Sequence, residues 1–210
     1  MILLSNNIYA LLAGSLFGAF VGIAGYHNRA LQHVPGSSGK RWVFFISGTL
    51  AALLSAICFI TAFGIGSFAG AIAITFIVSS WIGLLNTCTE IKVPERLKVI
   101  SSLEYKILCY PLTGVRFFGY LLKKTVLKKL GGDVFIEGKR KGLNKTLQGL
   151  NAAEATHFWG FAGMIPFIIA LYLFNRLFVL LGVLIILVLL HVFPIAHTRM
   201  IRFRIEKLIK

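Results

Sequence analysis

Glu154 and His157 stand three residues apart in the string NAAEATHFWGF. On a helix beginning near Asn151 that spacing puts both side chains on one face. A carboxylate beside an imidazole holds it in one tautomer and raises its basicity, as a general base needs when it takes a proton from an alcohol near neutral pH. The same pair also fits a capping acid followed by an interfacial histidine. Near the C-terminus His191, Pro194, His197, Arg199, Arg202 and Arg204 follow one another in HVFPIAHTRMIRFRIEKLIK. Arginines there can hold a phosphate or the oxygen of a polarised thioester, and they can equally anchor a helix at a cytoplasmic membrane surface.

Other chemistries lack their spacing. The histidines form no HExxH or comparable local ligand set, so no metal is expected. There is no GxSxG, no GxxxxGKS and no histidine followed four residues later by aspartate. Cys58, Cys88 and Cys109 are odd in number and contain no CxxC, which argues against a disulfide framework or a zinc cage.

The elements that must position these residues are membrane helices. Of 210 residues 57% are hydrophobic and only 14% charged, with a mean hydropathy of +0.83, more apolar side chain than one soluble core of this size can hide. Uncharged runs at residues 8–26, 42–63, 68–86, 157–174 and 177–193 predict five spans, with tight outer turns at Gly64 to Ser67 and at Asn175 and Arg176. The fold class is therefore all-α, a polytopic membrane protein of about five transmembrane helices plus a cytoplasmic interfacial helix. That helix is predicted over residues 107–122, where Pro111, Gly114 and Arg116 interrupt an apolar run that leads into Lys123, Lys124, Lys128 and Lys129.

The charge fixes an orientation. The chain carries 22 Lys and Arg against 7 Asp and Glu, a net +15. With five spans, 21 of the 22 basic residues fall on one side and Arg176 alone on the other, which predicts an outside N-terminus and a cytoplasmic C-terminus. Nucleic acid is set aside as a partner, because a soluble binder has no use for several long uncharged runs. The lysine-rich stretch at 137–145 suits an anionic membrane surface or the phosphates of a cosubstrate. In the first span Gly14, Gly18 and Gly22 line one helical face, for packing within the chain or for a homo-oligomer. Because the outer turn at Asn175 is short, the inner ends of spans four and five should be neighbours, which brings Glu154 and His157 near the C-terminal arginines.

From about Ser79 onward the chain resembles the glycosyl-4,4'-diaponeurosporenoate acyltransferases, bacterial membrane proteins of carotenoid glycolipid synthesis. The matching pieces are WIGLLNTCTEIKVP with Asn86 and Pro94, AAEATHFW with Glu154 and His157, and the tail with Pro194, Arg199, Arg202 and Arg204. Thr198 and Ile201 stand where the family pattern has glutamine and asparagine, and His191 replaces another asparagine. The resemblance divides the chain into a two-helix membrane extension, 1–78, and an acyltransferase-like core, 79–210, holding the basic cytoplasmic segment 87–156. It implies transfer of a fatty acyl group from acyl-CoA to a hydroxyl of a lipid-linked glycoside at the cytoplasmic leaflet of the bacterial membrane, with no tightly bound cofactor. His157 is then the catalytic base and Glu154 its orienting acid, with Arg199, Arg202, Arg116, His197 and Asn86 toward substrate. The rival reading is a non-catalytic membrane subunit that binds lipid or packs in a complex, favoured by the altered polar residues of the tail.

Overall fold

The computed structural model describes Ile8, Leu12, Gly14, Ser15 and residues 38–124 and 143–209. Helices α1 (Ser38–Phe63) and α2 (Phe68–Thr89) are followed by the short α3 (Glu95–Lys98), by α4 (Ser102–Cys109), a 3-10 turn at Pro111–Thr113, and α5 (Val115–Lys124). Then come α6 (Leu143–Gly163), α7 (Ile165–Leu173), α8 (Leu177–Leu187), a π-helical turn at Val188–Val192, and α9 (Phe193–Ile209). The architecture is all-α, as the apolar runs require.

Four segments among the described residues are long and apolar enough to cross a membrane: Ser38–Phe63, Phe68–Thr89, Thr146–Leu173 and Leu177–Ile209. They correspond to four of the five predicted spans. The first predicted span, 8–26, lies outside the described residues except for helical Ile8, Leu12, Gly14 and Ser15. A Cβ on Gly14 would lie 3.7 Å from the Phe59 ring, so this glycine packs within the chain. Gly18 and Gly22 lie outside the described residues, as does the stretch 125–142.

The chain forms two compact units, each assembled from two separate stretches: Met1–Glu90 with Gly160–Leu187, and Ile91–Trp159 with Val188–Lys210.

In the first unit the α1–α2 hairpin turns where the sequence predicts. Gly64 adopts φ +76°, and Ser67 caps α2 by accepting from the Gly70 amide at 3.0 Å. Trp81 donates to Thr49 Oγ1 at 3.0 Å, joining the two helices. The second predicted outer turn is also present, with Asn175 in the left-handed region and the Arg176 amide bonded to the Leu171 carbonyl. A Cβ on Gly66 would lie 3.1 Å from Arg176 Nε, so both turns lie at the same end of this unit. Ala71, Met164, Leu171, Val183 and Leu187 form its core.

In the second unit three boundaries differ from expectation. Helix α6 starts at Leu143, two turns before Asn151, because Leu143 and Leu150 are buried against Ile201 and Ile205 of α9. Helix α9 continues to Ile209 past Pro194, which sits in its first turn, where a missing N–H is tolerated. The interfacial segment is broken between α4 and α5, since Pro111 and Gly114, the latter at φ +70°, turn the chain there. At about 1.5 Å per residue, the 10-residue α5 is far too short to cross a bilayer.

Candidate active site

The chemistry-bearing residues of the second unit form two layers along α6 and the C-terminal segment. The inner-end layer is an ion-pair network centred on Glu154, which is 1% exposed. Its Oε1 accepts from Arg199 at 2.8 Å, and its Oε2 pairs with Arg202 at 2.7 Å. Arg199 also forks onto Glu104, with Nε and NH2 at 2.6 and 3.1 Å from the two carboxylate oxygens. The remaining Arg199 donors reach the carbonyls of Leu97 and Val99. All five of its N–H groups are thus directed at protein acceptors. Arg202, 2% exposed, donates to Asn151 Oδ1 at 3.1 Å and to the Lys98 carbonyl, with Glu206 at 3.6 Å from its Nε.

This network explains the local folding. Ser101 caps α4 by accepting from the Glu104 amide, the S-x-x-E pattern that starts a helix and here also aims Glu104 at Arg199. The last carbonyls of the single-turn α3, Leu97 and Lys98, and that of Val99 after it have no later helical amide to bond, so the two arginines satisfy them. Trp159 pins the preceding stretch by donating to the Lys92 carbonyl at 3.0 Å.

The second layer pairs His157 with His191, whose rings meet edge to face with centroids 5.6 Å apart. His191 is 2% exposed and lies in the π-helical turn. The His157 ring lies against the Leu190 backbone, and the His191 ring against the backbone of His157. Pro194 accounts for part of this geometry. In a regular helix the Leu190 carbonyl would accept from the amide four residues on, and at that position proline has none. The Leu190 carbonyl is thereby left open to the His157 ring beside it.

The predicted juxtaposition of Glu154 with the C-terminal arginines is thus present, but its internal wiring differs. Both Glu154 oxygens face arginines, and the side chain that meets His157 is His191. Glu104 is flagged in the sequence only as the acid of an S-x-x-E helix start, and neither Asn151 nor the carbonyls at 97–99 carries a signal there. The π turn was signalled only by the proline.

The other candidates fall elsewhere. His197, buried, lies under α5: a Cβ on Gly119 would stand 2.2 Å from its Cε1, so only glycine permits this approach. Phe118 flanks it at 6.2 Å and stacks on Phe193. Arg116 lies beside Cys109 together with Tyr105 and Arg204, and Arg204 donates to the Tyr105 hydroxyl at 2.9 Å. Burial raises the Cys109 thiol, but hydrogen bonding to Tyr105, Arg116 and Arg204 outweighs it and holds the thiol below its ordinary range. Asn86 is buried on α2, in the first unit. Among the described residues no group of three or more His, Cys, Asp or Glu side chains is arranged to hold a metal ion.

A family model for glycosyl-4,4'-diaponeurosporenoate acyltransferase matches residues 96–210, more than half of the chain. The chain belongs to this acyltransferase family. The match contains every residue of both layers and begins after the 81–94 stretch, leaving Asn86 outside it. Glycosyl-4,4'-diaponeurosporenoate acyltransferases act in a carotenoid glycolipid pathway, and the family name implies an acyl donor and a glycosyl diaponeurosporenoate acceptor. Neither the curated proteins nor the solved structures contain a match.

Proposed function

We propose that this chain transfers a fatty acyl group from acyl-CoA to a sugar hydroxyl of a glycosyl diaponeurosporenoate at the cytoplasmic leaflet, with His157 as the general base. The observation that carries the reading is the pairing of His157 with the buried His191, ring centroids 5.6 Å apart, inside the family-matched region. A His157 imidazole nitrogen takes the hydroxyl proton as the sugar oxygen attacks the thioester carbonyl. The new C–O bond forms, the C–S bond breaks, and the proton leaves with the CoA thiol.

Glu154 and the two arginines act here as a frame. They lock α6 to α9 and to the 97–104 segment within a turn or two of His157, and they hold its position rather than its charge. The donor phosphates then fall to exposed cations such as Arg96, Lys106, Arg116 and Lys124. Positive-inside sorting supports the leaflet, and the paired turns at Gly66 and Arg176 fit two hairpins opening to the opposite side.

The internal commitment of all five Arg199 donors favours one alternative, a lipid-binding subunit without turnover. Purified protein in lipid nanodiscs, supplied with radiolabelled acyl-CoA and a glycosylated diaponeurosporenoate, separates the two. Label in the glycolipid supports the transferase, and binding of the acceptor with no transfer supports the subunit.

A further inference from the structure

The Glu154 network fixes the backbone of α6 but not the plane of the His157 ring. Glu154, one turn earlier, commits both oxygens to Arg199 and Arg202, so the imidazole is left to other contacts. The outer side-chain torsion of a histidine is broad, and an unrestrained ring therefore samples many planes about a fixed backbone. A general base tolerates little of this, since a misplacement of about 1 Å can cost about 10²-fold in rate.

His191 supplies the missing restraint. Its ring meets that of His157 with centroids 5.6 Å apart and planes at 66°, an edge-to-face contact within the roughly 4.5–7 Å typical of aromatic pairs. The two rings differ in access. His157 is partly exposed, whereas His191 is 2% exposed, so a substrate hydroxyl can reach the first ring and not the second. They also belong to different elements, His157 to α6 and His191 to the π-helical turn at Val188–Val192, a kind of turn that recurs at functional sites. The contact thus holds a reachable side chain of one helix against a buried side chain of another.

We propose that His191 is a positioning residue, whose ring keeps the His157 imidazole in the plane from which it takes the proton of the sugar hydroxyl. The assignment rests on the acyltransferase reading for its reaction and adds what holds the base in place. The role needs the shape of a ring and not its titration. A phenyl ring at position 191 can therefore stand in for the imidazole.

The test compares wild type, His191→Ala and His191→Phe as full chains in nanodiscs, by acyl-transfer kinetics with labelled acyl-CoA and the glycosylated acceptor and by NMR of protein carrying 13C-histidine. With five histidines in the chain, the imidazole signals can be assigned by substitution. Wild type should show cross-relaxation between the His157 and His191 ring protons and a rigid His157 ring. In His191→Ala the His157 ring should become mobile and kcat fall at least tenfold, with the KM for donor and acceptor within twofold of wild type, and His191→Phe should recover most of both losses. If His191→Ala does not fold, His191→Leu, which fills most of the volume without a ring, takes its place with the same expectation. A His157 ring equally rigid without His191, or a kcat as low in His191→Phe as in His191→Ala, would overturn the proposal. Transfer indifferent to every substitution at 191 would also overturn it and leave the transferase reading standing. Absence of transfer in wild type would sink that reading, and the mobility of the His157 ring across the variants would still decide whether His191 holds it.

Discussion

The Glu154 carboxylate lies 2.8 Å from the Arg199 guanidinium, across 45 residues of sequence, and shares its second oxygen with Arg202 at 2.7 Å. Removing the acid leaves two arginines buried without their central counter-charge, and breaking a buried pair in this way typically costs about 3–5 kcal/mol. Glu154→Ala should therefore lower the thermal midpoint of the detergent-purified protein by several degrees or abolish folding. Glu154→Asp should recover part of the loss. A melting curve for Glu154→Ala equal to wild type would show that the network does not hold α6 to α9.

The two outer turns should be reachable from outside the cell and the basic segments only from within. Single cysteines at positions 66 and 176 are predicted to react with an impermeant maleimide on intact cells, and cysteines at 36, 140 and 210 only after permeabilisation. Labelling of position 140 from outside would reverse the orientation.

Residues 107–124 should lie along the membrane surface. Phe117, Tyr120 and Leu121 are exposed on α5, while Val115 and Gly119 face into the unit, which leaves an aromatic face for the acyl boundary and basic residues for the headgroups. Spin labels at 117 and 120 should show the shallow depth of an interfacial helix. A depth near the bilayer centre would contradict it.

Cys109 should alkylate at a lower pH than an ordinary thiol, because Tyr105 and its arginine neighbours stabilise the thiolate against the burial that opposes it. The sign follows from the lowered pKa: reaction with iodoacetamide persists below the pH at which an ordinary thiol slows, and Arg116→Gln moves that fall to higher pH. A rate profile identical in wild type and Arg116→Gln would remove Arg116 from this cluster's electrostatics.

How much of this was legible beforehand differs from residue to residue. Four apolar runs and both outer turns were readable because hydropathy and glycine or asparagine punctuation are local properties. The proximity of Glu154 to Arg199 followed from chain geometry alone, since equal lengths of helix from the Asn175 turn reach equal depth. The partner of each group was not readable. Glu154 and His157 share a helical face, yet the acid turns to the arginines and the imidazole to His191, in the turn that Pro194 follows. Backbone acceptors leave no trace in side-chain spacing. The two-turn extension of α6 was hidden for a similar reason, because its apolar partners, Ile201 and Ile205, lie on α9 beyond the predicted span 177–193.

His157 carries the central claim. In nanodiscs with labelled acyl-CoA and the glycosylated acceptor, His157→Ala should lower kcat by about 10² to 10⁴ while leaving the melting curve and acceptor binding near wild type. Turnover unchanged in a folded His157→Ala protein would contradict the account.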